Sequence, residues 1–593
     1  MSLPSRDDVD PQYRFDLSHI FETPDEWADA RKALEKRLAR LESVAADPPT
    51  DTTELLEVLD LTEECYRRKQ QLDLYATLSA NVETSSDEAA TRQRQFRELE
   101  ADFEPVVASV RRCLGGLTDA EFEEMLSDLD EYSYYAQNLR TQASRMREPA
   151  VEEAIATHAE ARSAPTRIHR ATTTEDFDPP TIERPDGDPV DLSVGNKRTE
   201  LSHSDRDYRQ TVYKTYYEEM ERFEATLTRT IAEKLSAAAT EAEIRDYDSI
   251  RDRDLRGTYP ESGLEPALPE SVHETLVAAV RDNLEPYHRS QRVRRERLGV
   301  DTLRPWDRRV PTADTSPPEL EYEDATSLIL AALEPLGEQY VELARTFLSE
   351  RRIDVFPTED KRTDIPAYCP SSATDGAFVL ANFHRDVRTM FYIAHELGHA
   401  LTAMLYQPEP TRYATAPTAI CEVPSILHEV LLAEHCLDAG GALAAHARDR
   451  LIECLSGNFY RNARTAAFNH RLATTIEAGD ELSPRMAREA YANLLAEFDP
   501  TVDFPGDSGR EWLGHGQRIP YSSYQYVLGA TGALGVRERL RDESLRPIEY
   551  REFLRTIGRH PPVESFETLG VDVLSDESYE RAAATFDDYL DRL

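Results

Sequence analysis

The sequence predicts a mainly helical fold with a few short strands, on three observations. Long segments rich in Ala, Leu, Glu and Arg place apolar residues three and four apart. Pro and Gly punctuate these segments rather than interrupt them. Strand-like alternation is confined to two short stretches. In chain order the helical segments are Glu26 to Val44, Thr53 to Thr84, Asp87 to Leu114, Asp207 to Ala242 and Ser271 to Leu298. Breaks fall at Asp47-Pro48-Pro49, between Asp178 and Pro189, and between Arg304 and Pro318. The turn cluster inside Pro180 to Leu192 predicts a small hairpin. The apolar run Gly376 to Asn382 predicts a strand, placed directly upstream of the most informative helix. No self-similarity at a period of about 20–50 residues is visible, so a solenoid is not expected.

Charge excludes several classes of function. Of 593 residues, 112 are Asp or Glu and 69 are Lys or Arg, giving a formal net charge of −43. A nucleic-acid backbone must be neutralised by clustered cations, and this chain has no basic run that overcomes its own field. Docking on an anionic membrane surface is excluded for the same reason. Only seven of the cations are lysines (Lys32, Lys36, Lys69, Lys197, Lys214, Lys234 and Lys361), so Arg supplies nearly all the positive charge. Self-repulsion of this size destabilises a compact state in dilute buffer, whereas salt near 1 M shortens the Debye length to about 3 Å. The composition therefore fits a halophile's cytoplasmic protein.

The chain is nevertheless globular, because 40% hydrophobic residues with 27 Tyr and 19 Phe can bury a large core. Cys65, Cys113, Cys369, Cys421, Cys436 and Cys454 contain no CxxC pair and are expected to be reduced and mostly buried. The N-terminus lacks a basic segment followed by an apolar one, and no apolar stretch approaches 18 residues.

Past a capping Asp386, the residues Val387, Met390, Phe391, Ala394, Leu397, Leu401 and Met404 recur at helical spacing. On this helix His395 and His399 stand four apart, which puts two imidazoles on one face at the separation where both can bind one tetrahedral zinc ion. Glu396 is rotated by about 100° from His395, so its carboxylate lies beside the metal position, where it can take a proton from water. A third ligand must come from another element, because catalytic zinc takes three protein ligands and leaves one position open. Glu422, with 22 residues between it and His399, is the candidate. That interval ends one helix, crosses a loop through Pro408 to Pro417 and starts a second helix, with Pro424 in its first turn. Glu429 falls on nearly the same face as Glu422 and is placed to orient a ligand histidine. His428 and His435 are read as solvent-facing or capping residues.

HELGHA with Glu-Val-Pro-Ser 22 residues downstream resembles the thimet-oligopeptidase-like metallopeptidases, specifically the oligoendopeptidase F branch. Similar features are Tyr13-Arg-Phe-Asp-Leu-Ser-His-Ile-Phe21, Asp25-Glu-Trp27, Gly376-Ala-Phe378 and the Tyr-rich stretch Pro520 to Gly529, so the resemblance spans almost the whole chain. It implies a helical two-lobed ellipsoid with a deep channel, a small β-sheet near the zinc helix, and endopeptidase action on short peptides. It also implies that a His and a Tyr from the late segment donate hydrogen bonds to the carbonyl oxygen under attack. His515 and Tyr524 match best, with Tyr521 and Tyr526 nearby. His515 lies five residues before Pro520 where the pattern has four, with Gly516 at the expected position. Thr402 stands where relatives often carry another His.

The expectation is thus an N-terminal helical lobe with a small hairpin (1–200) and a catalytic domain (201–593). One Zn2+ would be held by His395, His399 and Glu422, with Glu396 as general base and His515 and Tyr524 as oxyanion donors. The substrates would be short peptides. The rival readings are a zinc exopeptidase of similar build and a catalytically silent helical zinc-containing binding protein.

Overall fold

The computed structural model describes residues 3–127, 129, 132–256, 268–313, 315–406, 418–506, 508–514 and 520–591. The N-terminal part is built from three long helices, Pro24–Val44, Thr52–Val82 and Asp87–Gly115. Each begins where its sequence supplies a cap: Thr23 accepts from the Glu26 N–H, Asp51 from Thr53 and Glu54, and Ser86 from Ala89. Their apolar faces close on one another through Leu34, Leu41, Leu59, Leu72, Phe103 and Val107, all fully buried. Trp27 joins them by donating its indole N–H to the Leu72 carbonyl at 2.9 Å.

Two of the predicted long helices are each two helices. Asp207 to Ala242 divides into Arg206–Glu221 and Glu224–Ile244, with the break at Arg222 and Phe223. No Pro or Gly marks it. Arg488 pairs with both Glu221 and Glu224 across the break. Ser271 to Leu298 divides into Glu270–Asp282 and Glu285–Arg297. Here the signal was present in the sequence, since Pro286 cannot donate to the Asp282 carbonyl and fits the first turn of a new helix, where it stands second. Asn283 finishes the first helix by donating its side-chain amide to the Ala279 carbonyl at 2.9 Å.

The predicted hairpin is present, pairing Thr181–Glu183 antiparallel with Pro189–Asp191, and Gly187 takes the positive φ of 92° in its turn. Phe177, Ile182 and Leu192 of this region are buried in the larger of two hydrophobic cores. The predicted Gly376 strand is two short strands, Gly376–Ala377 and Val379–Ala381. Val379–Ala381 lies between Ile353–Asp354, parallel, and Ala367–Tyr368, antiparallel. Strand alternation makes this segment a wall between the cores. Phe378 and Leu380 join the N-terminal core, and Ala377, Val379 and Ala381 join the larger one. Lys361 pins the wall from beneath, donating to the carbonyls of Asp354, Phe356 and Ala381 and pairing with the Asp354 carboxylate at 2.8 Å.

The larger core runs from Phe177 to Leu590. Its centre holds the helices Val387–Tyr406, Thr418–Ala439 and Tyr524–Arg541, called below the histidine, glutamate and tyrosine helices. Gly441–Leu455 packs on the glutamate helix and passes through a π-helical turn, Ser456–Arg461, into Asn462–Glu477. Among the described residues no helix is long and apolar enough to cross a membrane.

Candidate metal centre

The histidine helix opens on the predicted cap, Asp386 Oδ1 accepting from the Thr389 N–H at 2.7 Å. Val387, Met390, Phe391, Ala394, Leu397 and Leu401 are buried, whereas His395, Glu396 and His399 keep partial exposure. The helix thus seals itself into the core while showing its polar triplet to solvent.

The glutamate helix begins at Thr418, so Pro424 sits inside it and not in its first turn. The missing N–H of Pro424 leaves the Ile420 carbonyl without its helical donor. The position is explained by a close helix crossing. A Cβ added to Gly398 would lie 2.6–2.8 Å from backbone atoms of Pro424 and Ser425, so only glycine allows the two helices to meet there. On the other side a Cβ at Gly529 of the tyrosine helix would lie 2.4 Å from the Glu422 Cβ. Two glycines on neighbouring helices therefore bracket the segment that carries Glu422.

That crossing brings the three predicted ligands together. Glu422 Oε2 lies 3.4 Å from His395 Nε2 and 3.7 Å from His399 Nε2. One donor atom from each of the three residues falls within 4.8 Å of the others. Tetrahedral zinc, with bonds of about 2.0–2.2 Å, requires ligand atoms roughly 3.3 Å apart, so this donor set fits the ion. Glu429 Oε1 sits 2.9 Å from His395 Nδ1 and fixes the tautomer that leaves Nε2 directed at the cluster. Glu422 Oε2 also accepts from the Ser425 hydroxyl at 2.9 Å.

The electrostatics separate the two histidines. Burial opposes charging His395, but the Glu429 hydrogen bond and the carboxylates of Glu422, Glu429 and Glu396 push it up to about 10. Burial, with His395 beside it, pushes His399 down to about 4. Burial, reinforced by Glu422 and Glu429, raises Glu396 to about 7 against the pull of His395.

Several sequence expectations need revision. His428 is neither solvent-facing nor a cap. It is fully buried, with Nδ1 3.1 Å from the Ala394 carbonyl and Nε2 2.9 Å from the Tyr340 hydroxyl, and so ties the two helices together. His435 is half-buried. Thr402 is buried and donates to the Gly398 carbonyl at 2.8 Å. His515, Gly516 and the loop Pro408 to Pro417 lie outside the described residues. Tyr524 is fully buried with its ring toward His273, at 6.4 Å between centroids. Tyr521 is buried too, its hydroxyl 2.7 Å from His470 Nδ1. Tyr526 is partly exposed and, three residues before Gly529, shares the face that packs on Glu422.

Sequence reasoning missed Arg450. Its Nη2 lies 3.5 Å from Glu429 Oε2, its Nη1 2.8 Å from Glu453 Oε2, and its guanidinium stands over the Phe391 and Tyr392 rings. No local signal marks it, because it reaches Glu429 from the following helix.

Residues 200–585 match peptidase family M3, and the chain belongs to that family. Among similar proteins, oligopeptidase PepF of Bacillus subtilis is 23% identical over 613 residues, covering 100% of this chain and 88% of its own. An oligoendopeptidase F homologue of Lactococcus lactis is 24% identical, covering 99% of this chain and 98% of its own. Two solved structures share the fold. One from Chlamydophila abortus has a TM-score of 0.85 at 20% identity, covering 100% of this chain and 99% of that one. The oligoendopeptidase-F of Enterococcus faecium has a TM-score of 0.71 at 22% identity, covering 96% and 98%.

Proposed function

We propose that the protein is a zinc-dependent endopeptidase that hydrolyses internal bonds of short peptides. The observation that carries this reading is the convergence of His395, His399 and Glu422, with Glu396 beside them on the same helix. Bound there, zinc would supply Lewis acidity, which polarises a carbonyl and acidifies water. Glu396 takes the proton of the attacking water and returns it to the departing amine. Glu429, steadied by Arg450, holds the His395 imidazole in one orientation. A hydroxyl donor to the carbonyl oxygen is best supplied by Tyr526, which shares a helix face with Gly529 at Glu422, rather than by the enclosed Tyr524. His515 keeps the role that the motif assigns to it. The similarity to an oligopeptidase of Bacillus subtilis and an oligoendopeptidase F homologue of Lactococcus lactis supports oligopeptides as the substrate class.

Glu396→Gln should retain bound metal and lower turnover by roughly 100- to 10,000-fold. Near-normal hydrolysis by that variant would remove Glu396 from the base role. Cleavage of an end-blocked, internally quenched peptide separates this reading from an exopeptidase, which would leave the peptide intact. Bound metal without hydrolysis would favour the silent binding protein.

The setting we propose is a salt-rich cytoplasm, supported by the −43 charge and the scarcity of lysine. Thermal midpoint and activity should both rise between dilute buffer and molar KCl as screening relieves self-repulsion. A flat salt profile would overturn the halophilic setting and leave the peptidase reading untouched.

A further inference from the structure

The metal centre leaves a group of cations unexplained. Glu453 is surrounded by arginines: Arg450 lies 2.8 Å from Oε2, Arg309 3.2 Å from Oε1, and Arg198 pairs with the same Oε1. Arg461 donates to the Glu453 backbone carbonyl at 3.3 Å. Beside Arg198, the Lys197 ammonium stands over the rings of Tyr216 and Tyr217, at 4.0 and 5.1 Å. Among the described residues it forms no ion pair with a carboxylate. The sequestered lysines Lys69 and Lys361 differ, pairing with Glu100 and Asp354 at 2.8 Å each. Burial, with Arg309 nearby, pushes Lys197 down to about 8 against the pull of Glu511, which itself pairs with Arg308 at 2.6 Å. Burial, with Arg198 and Arg461, pushes Arg309 down to about 9.

This cluster adjoins the candidate active site along two routes. Arg388 of the histidine helix donates to the Ser202 hydroxyl at 3.3 Å, next to the segment carrying Lys197 and Arg198. Glu453, Arg450 and Glu429 form a continuous chain of contacts that ends on His395. Solvent also reaches the cluster, because the Arg198 and Arg309 side chains are 43% and 38% exposed.

We propose that Lys197 and Arg309, with Arg198 beside them, form a subsite for the C-terminal carboxylate of the peptide substrate. In a chain of net charge −43 the field over most of the surface repels anions, so a local cationic surplus beside the active site is where a carboxylate can settle. Guanidinium and ammonium groups give a carboxylate charge-assisted hydrogen bonds. Every unmodified linear peptide carries that group, so the subsite would grip substrates without regard to side chain. It would also set the cleaved bond at a fixed distance from the C-terminus.

The inference rests on the peptidase reading, and binding to Glu396→Gln protein tests it independently of turnover. Fluorescence anisotropy would compare one labelled peptide as its free acid, as its C-terminal amide, and as an amide ending in Asp. The free acid should bind at least about tenfold more tightly than either amide, a difference near 1.4 kcal/mol. Added Lys197→Met or Arg309→Met should bring the acid to the level of the amide, and Lys197→Arg should restore the difference. Thermal melting identifies any variant that has failed to fold, and Lys197→Arg keeps the comparison decisive in that event. Equal binding of acid and amide to the parent protein overturns the subsite. So does an Asp-ended amide that binds as tightly as the free acid. In active enzyme, peptides lengthened at the N-terminus should be cut at a constant distance from the C-terminus, and a cut that follows the N-terminus also overturns it. If the wild-type chain cleaves no peptide, the peptidase reading falls while the anisotropy comparison still decides the subsite.

Discussion

The N-terminal three-helix body and the candidate metal centre are both made of packed helices, yet different residues allow the packing. In the N-terminal body, Leu34, Leu59, Leu72 and Phe103 fill the space between helices, each helix is capped by its own sequence, and the bulk of these side chains holds the helices together. At the metal centre, Gly398 and Gly529 remove side chains where helices cross, and closeness itself is the requirement. The first region can lose volume and keep its geometry. The second cannot gain a methyl group without moving Glu422 from its histidines.

The largest effect that sharpens this contrast is expected from Gly398→Ala. The new Cβ would press on the Pro424 and Ser425 backbone, and the helices must part. Zinc affinity, measured by chelator competition, should fall by about 10–100-fold, the range seen when groups supporting ligands are altered. An unchanged affinity would show that the crossing is slack. Leu59→Ala in the N-terminal body should do the opposite. Urea unfolding should show a loss of about 2–5 kcal/mol with metal affinity intact. A drop in metal affinity there would mean that the two regions are coupled through the shared strand wall.

The smallest effect concerns acid. Burial pushes His273 and His428 down to about 3 from the ordinary 6.5. Between those values the unfolded chain takes up protons that the folded chain refuses, so these residues lower stability as pH falls from 6.5 toward 3. Above 6.5 they contribute no pH dependence. His273→Gln should make the decline in urea midpoint between pH 7 and pH 5 shallower, and an identical slope would mean that His273 already carries its proton in the folded state.

How far the sequence could be read depended on the range of the interaction involved. The cap at Asp386, the hairpin at Gly187, and the i, i+4 pair His395 and His399 each depend on neighbours within a few residues. They were legible. Pro286 was equally local and marks a helix break that the apolar periodicity concealed. The break at Phe223 was not legible, because no Pro or Gly marks it and the residue that bridges it, Arg488, lies far along the chain. Burial of His428 likewise depends on Tyr340, and the support of Glu429 depends on Arg450. The choice among Tyr521, Tyr524 and Tyr526 was left open by spacing alone. Tyr521 precedes the tyrosine helix, and Tyr524 and Tyr526 differ in which face of it they occupy relative to Gly529, where it meets Glu422.

By itself the sequence determined that the chain is helical and acidic, which helix bears the histidines, and which carboxylates accompany them. Composition and short-range periodicity are properties of the chain and need no fold. Tertiary structure decided that Glu422 arrives 3.4 Å from His395, that a wall strand serves two cores, and that arginines from separate segments gather around Glu453. Those distances are set where helices cross, and crossings depend on residues far apart in sequence that either fill the contact or, as Gly398 and Gly529 do, leave it empty.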